Sequence, residues 1–152
     1  MADTLLHYED FPVGEIVTYG SYNLTREAIV AFAREYDAQP FHLDDEAARD
    51  TMLGGLAASG WHACAIMMRL NCDGFLLNTT SMGAPGIDEV KWLAPLRPNV
   101  TLSVRRTTLE VRASKSRPEL GFVKFLFELL ADEQTVVTTQ VCSIMFGRRL
   151  AA

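Results

Sequence analysis

The chain has 152 residues, 49% of them apolar and 22% charged, which fits one globular domain and excludes a disordered, collagen-like or coiled-coil chain. Its net charge of −5 argues against a nucleic-acid binder, and no apolar run reaches the ~18 residues that a membrane span needs. The first ten residues lack the basic start and long apolar stretch of a secretory signal.

The charge is uneven along the chain. Residues 1–50 carry eleven acids and three arginines, a net of −8, while residues 97–117 carry six bases (Arg97, Arg105, Arg106, Arg112, Lys115, Arg117) and one acid, Glu110, a net of +5. That second stretch reads either as a solvated basic strand face or as a surface that steers an anionic small molecule. Three cysteines, Cys64, Cys72 and Cys142, form no CxxC pair and no Cys/His metal spacing. An odd count in apolar surroundings argues for small buried hydrophobes in a reducing compartment, the cytoplasm.

A short strand is expected over 14–20, after the turn Phe11-Pro-Val-Gly14. Thr25 then caps a helix, with Leu24 and Ile29 at the two positions of a hydrophobic staple and Ile29, Phe32, Ala33 and Tyr36 at helical spacing. That helix stops before Pro40, because the residue before a proline avoids helical angles. A short acidic helix follows at 44–50. Gly54–Gly60 is a loop of small residues, and Ser59 is placed to cap the next helix, which runs from Trp61 to Asn71. That helix is apolar on two faces, Ala63/Ile66/Met67/Leu70 and Trp61/Cys64/Ala65/Met68/Cys72, so it is expected to be buried. Met52, Met67, Met68 and Met82 read as core filler, with Met68 also placed to shape a pocket.

From Ile87 onward the pattern alternates as strands do. Val90, Trp92 and Ala94 form one run, Val100, Leu102 and Val104 a second, and Leu109 and Val111 fall out of phase with the second. A bulge is therefore expected between Arg105 and Thr108. Two further strands, Phe122–Leu130 and 135–146, follow after short links, so the last three strands are expected to be antiparallel neighbours. One buried helix and a long antiparallel sheet make an α+β layout, with the sheet wrapped around the helix.

Chemistry concentrates in Tyr36-Asp37-Ala38-Gln39-Pro40-Phe41-His42. An acid and an imidazole flank a proline that ends the helix, so both side chains can project from one ordered turn. Together they can hold a water and move its protons, although an Asp…His pair near a helix end also occurs as a purely structural feature. A second element is Ala57-Ala-Ser59-Gly60-Trp61. The free N–H groups of a helix start bind negative charge, and a glycine lets a ligand approach the backbone. Equally, Gly60 can simply permit tight packing. His62 reads as packed or solvent-touching rather than as a substrate contact, and His7 has no assigned role.

The element Asp37-x-x-Pro40-x-His42, followed after eighteen residues by Gly60 and a buried helix, resembles the MaoC-like dehydratases, including the (R)-specific enoyl-CoA hydratases (hydratase 2). The likeness continues through Val90-Lys-Trp-Leu-Ala-Pro-Leu-Arg-Pro98 and Ser114-Lys-Ser-Arg-Pro118 and spans roughly residues 10–147. It implies a hot-dog fold over 1–152, an antiparallel sheet wrapped around a long central helix, and a homodimer. It implies that Asp37 and His42 activate the water that adds to C3 of a trans-2-enoyl thioester and return a proton to C2, a syn addition. Gly60 N–H, with Ser59 and Trp61 beside it, would polarise the thioester carbonyl. The substrate would be an acyl-CoA or acyl-carrier thioester, with no metal and no redox cofactor. The chain departs from the family pattern at Gln39, where Asn is usual, at Tyr36, where Gly is usual, and at Met68, where some members carry a serine. Two other readings stay open: a hot-dog acyl-CoA thioesterase, although residues 60–72 contain no Asp or Glu, and a non-catalytic acyl-binding subunit. Lys115 and Arg117 are candidate contacts for CoA phosphates.

Overall fold

The computed structural model describes residues 5–149. Strand β1 (Ile16–Leu24) leads into helix α1 (Arg26–Tyr36), a short helix α2 (Asp45–Arg49) and the central helix α3 (Gly60–Gly74). Four strands follow: β2 (Glu89–Trp92), β3 (Val100–Ala113), β4 (Leu120–Ala131) and β5 (Thr135–Gly147). They form one antiparallel five-stranded sheet in the order β1-β3-β4-β5-β2. The sheet wraps α3, which is the hot-dog architecture.

Local rules explain most of the elements. Thr25 accepts the Ala28 N–H at 3.1 Å and starts α1, Asp44 accepts the Ala47 N–H and starts α2, and Ser59 accepts the Trp61 N–H at 3.2 Å and starts α3. Along β4, Val123, Phe125, Phe127 and Leu129 point inward at the strand period of two. Phe125, Phe127, Phe75, Phe11 and Phe146 meet edge-on or tilted, with centroids 4.6–6.2 Å apart, and form the floor on which α3 lies. Helix α3 presses Ala63, Ile66, Met67 and Leu70 onto that floor.

Several expectations need correction. Strand β1 runs on to Leu24, past a register shift between Tyr19 and Tyr22 that contains Gly20 at φ +92°. A Cβ there would come 2.9 Å from Leu70 of α3, so glycine permits both the bend and the close approach. The bulge in β3 does exist but sits at Leu109, between Thr108 and Glu110, just past the expected interval. Of the four methionines read as filler, only Met67 is in the core; Met52, Met68 and Met82 are exposed.

Helix α3 is not buried on all sides either. Trp61 and Met68 are 61% and 49% exposed, and Cys64 and Cys72 are half-buried, so its second apolar face is bare in the single chain. All three cysteines are free. No helix among the described residues is long and apolar enough to cross a membrane.

Three of the six bases in the segment 97–117 are paired with carboxylates. Arg105 makes two hydrogen bonds to Glu128, and Arg117 pairs with Glu119. Arg106 is buried against Glu15 at 3.2 Å, with its guanidinium 4.2 Å from the Phe75 ring centroid and near the rings of Phe11, Tyr19 and Phe125. Arg112 lies over Phe122. Arg112, Lys115 and Arg117 are exposed, so the end of the stretch is a solvated face, while the buried Arg106 interrupts any continuous steering surface.

Candidate active site

The first peptides of α3 and the turn after α1 meet at one cavity of about 510 Å³. Asp37 is the C-cap of α1, and its N–H closes the helix onto the Ala33 carbonyl at 2.8 Å. Pro40 opens a single 3-10 turn that ends in His42, so the chain reverses within five residues and the two side chains face each other. Asp37 Oδ2 lies 3.4 Å from His42 Nε2, and both side chains are mostly buried, at 16% and 9% exposure.

Each partner is held from behind. His42 Nδ1 is 2.7 Å from the Ala57 carbonyl, so Nδ1 carries the hydrogen and donates it. That turns Nε2 toward Asp37. The Gln39 amide donates to Asp37 Oδ1 at 2.7 Å. Burial pushes the Asp37 carboxyl up, but the Ser59 hydroxyl, the Gln39 amide and the neighbouring His42 outweigh it, and the net shift is below the ordinary carboxylate value. Asp37 is thus an anion at neutral pH, with Nε2 of the His42 ring beside it. A water beside the pair, on the cavity side, can contact both groups and give up a proton to them.

Gly60 lines the same cavity. Its N–H opens α3 and has no acceptor among the described residues. The Trp92 indole lies against Gly60: a Cβ at position 60 would come 2.4–2.7 Å from three of its atoms, and its Nε1 donates to the Gly60 carbonyl at 2.9 Å. Close packing therefore demands this glycine, and its amide is left free.

The remaining residues named from sequence fall as follows. Trp61 lines the cavity and meets Trp92 edge-on at 5.3 Å. Ser59 does not line the cavity: it is fully buried, caps α3 and faces Asp37 from below, which corrects its expected place as a substrate contact. Met68 is also corrected, because it points to solvent and lies outside the cavity. Eight residues beyond Gly60 is ~12 Å along the helix and ~80° around it, too far to share a site at its first turn. His62 is buried, stacked flat on Phe32 at 4.4 Å, and burial lowers its pKa, so it is a neutral packed ring. Among the described residues His7 bonds within its own turn, to Leu5 and Asp10. Lys115 and Arg117 lie away from the cavity, and Arg117 is occupied by Glu119.

Sequence reasoning missed Trp92, Phe41, Leu96 and Thr138 in the lining. Trp92 and Thr138 are register partners on β2 and β5, so pairing the strands correctly is the one signal that brings them together. Nothing local marks an edge strand that crosses a helix start.

The fold and much of the sequence are shared with known proteins. A family model described as a MaoC like domain matches residues 11–122. The MaoC-like dehydratase from Rhodospirillum rubrum is 40% identical, with 96% of this chain and 99% of that one covered and a TM-score of 0.89. The (R)-hydratase PhaJ1 from Pseudomonas aeruginosa shares the fold at 19% identity, with 96% and 92% covered and a TM-score of 0.72. The protein YdeM from Bacillus subtilis (strain 168) is 24% identical over 141 residues, 92% of this chain and 98% of its own. With most of its length matched by the family model and a turn, a helix start and a sheet disposed as described, the chain belongs to the MaoC-like domain family.

Proposed function

We propose that the protein is a hydro-lyase that adds water across the C2=C3 bond of a trans-2-enoyl thioester, carried on CoA or on an acyl-carrier protein, or removes it in reverse. The observation that carries this reading is the 3.4 Å approach of Asp37 Oδ2 to His42 Nε2 in the cavity that also holds the free Gly60 N–H. The substrate's thioester oxygen accepts the Gly60 N–H. As the water oxygen bonds to C3, the π electrons move toward C1 and negative charge collects on that oxygen, at the positive end of α3. The water's proton passes to the Asp37–His42 pair, and the pair returns a proton to C2. Water and the pair balance the reaction, which calls for no metal and no redox cofactor.

The test compares two substrates. Crotonyl-CoA should lose its conjugated enoyl absorbance, and butyryl-CoA should release no free thiol. Thiol release from the saturated ester with the enoyl absorbance unchanged would make the protein a thioesterase and overturn the proposal. The geometry offers that alternative little support, because Asp73, the carboxylate within α3, sits in its last turn, is half exposed and pairs with Arg69 at 2.9 Å.

The bare face of α3 and the short edge strand β2 also support a homodimer, since Trp61, Met68 and Trp92 together leave a large apolar surface uncovered. Light scattering should return about twice the 16.9 kDa chain mass; a monomer across the working concentration range would contradict the dimer.

A further inference from the structure

The segment joining β2 to β3 carries a cation that the proposed chemistry does not use. Arg97 stands between Leu96 and Pro98, and its half-buried guanidinium has no carboxylate within ion-pair distance among the described residues. Its hydrogens go to backbone oxygens instead: Nη1 donates to the Leu56 carbonyl at 3.3 Å and Nη2 to the Leu53 carbonyl. Gly54 and Gly55, at φ +68° and +159°, pass directly beneath it, and a Cβ on Gly55 would lie 3.2 Å from Nη1. One residue earlier, the Leu96 carbonyl accepts the Ala58 N–H at 2.8 Å. Three hydrogen bonds from residues 96 and 97 therefore fix the chain from 53 to 58. Within that stretch lies Ala57, whose carbonyl receives the His42 Nδ1 hydrogen.

We infer that Arg97 is a positioning residue for His42, clamping the 53–58 loop so that the Ala57 carbonyl holds the ring in the tautomer and direction that turn Nε2 toward Asp37. Arg97 itself does not line the cavity and touches no reacting atom. The planar fork matters, because it spans two carbonyls three residues apart; a lysine ammonium keeps the charge but offers no such rigid pair of donors. The same loop also ends at Ser59 and Gly60, so the clamp sets the helix start against the histidine as well.

The kinetic arm of the test rests on the proposed hydration, and the spectroscopic arm does not. In Arg97→Ala and Arg97→Lys, kcat for crotonyl-CoA should fall ~10-fold to ~10²-fold, as a small misplacement of a reacting group costs, while KM stays within about threefold. Millimolar guanidinium should restore part of the loss in Arg97→Ala. Nitrogen NMR of the His42 ring in the full chain should show Nδ1 protonated in the wild type and a tautomer mixture in both variants. Thermal melts verify that each variant is folded, and Arg97→Lys serves if Arg97→Ala is not. A raised KM with unchanged kcat would make Arg97 a substrate contact and overturn the inference, as would an unchanged His42 tautomer in a folded variant. A wild type that hydrates no enoyl thioester would remove the proposed function, while the NMR result would still decide the role of Arg97.

Discussion

Asp37→Asn should lower hydration turnover by at least ~10²-fold, and His42→Ala by a similar factor, with the fold intact in both. Asparagine keeps the size of the side chain and can still accept one hydrogen bond from Gln39 or from a water. It has no negative charge and cannot take a proton. His42→Ala removes the Nε2 lone pair and leaves the Ala57 carbonyl without the donor that reaches it at 2.7 Å. Because the two groups act on one water, the double variant should fall little further than either single one, far short of the product of the two losses. Thermal melts of the Asp37→Asn variant should stay close to the wild type, since this side chain stands at a cavity wall and not in the aromatic core. Near-normal turnover in both variants would refute the acid–base role and leave an acyl-binding subunit as the better reading.

Gly60→Ala should damage the protein in two ways at once. The added methyl group would lie 2.4–2.7 Å from the Trp92 indole, and overpacking of this kind costs about 1–3 kcal/mol. The ring or the helix start must move, and either movement shifts the amide proposed to receive the substrate's negative charge. Loss of one such donor costs ~10² to ~10³ in turnover, and misplacing it should approach that range. The cause can be isolated with Trp92→Ala. In the double variant the methyl group has room, so the melting temperature should rise above that of Gly60→Ala alone. A Gly60→Ala protein as stable and as active as the wild type would show that neither the close contact nor the amide matters.

The parts of this fold that were legible in the sequence are those set by short-range rules. Thr25 and Ser59 announce their helices because a side-chain oxygen must satisfy amides two or three residues on. The inward row Val123, Phe125, Phe127 and Leu129 is visible because a strand has a period of two. The turn that joins Asp37 to His42 is legible for the same reason, since Pro40 acts on its immediate neighbours. The illegible parts depend on partners distant in the chain. Arg106 reads as one more surface base until Glu15 and four aromatic rings close around it. Trp92 reads as an ordinary strand residue until β2 pairs with β5 and lays the indole on Gly60. Ser59 and Met68 both read as pocket residues, but one side chain turns under the helix start and the other lies about two turns further along, on the bare face.

Bare apolar surface also explains why the pattern of α3 overstated its burial. Its periodicity records that both faces avoid water, but not whether the second cover comes from the same chain. Within the described residues it does not, because Trp61, Ala65 and Met68 remain open. A second copy of the chain would supply the missing cover.

The central claim is that a single pair of side chains, on one face of the substrate, handles both the water and the proton. Hydration of crotonyl-CoA in D₂O, followed by proton NMR of the 3-hydroxybutyryl product, tests it most directly. The account predicts one deuterium at C2, on the same face as the new hydroxyl at C3. Deuterium on the opposite face, or scrambled between the two, would mean that proton and water arrive from separate groups, and Asp37 and His42 could not be acting as described.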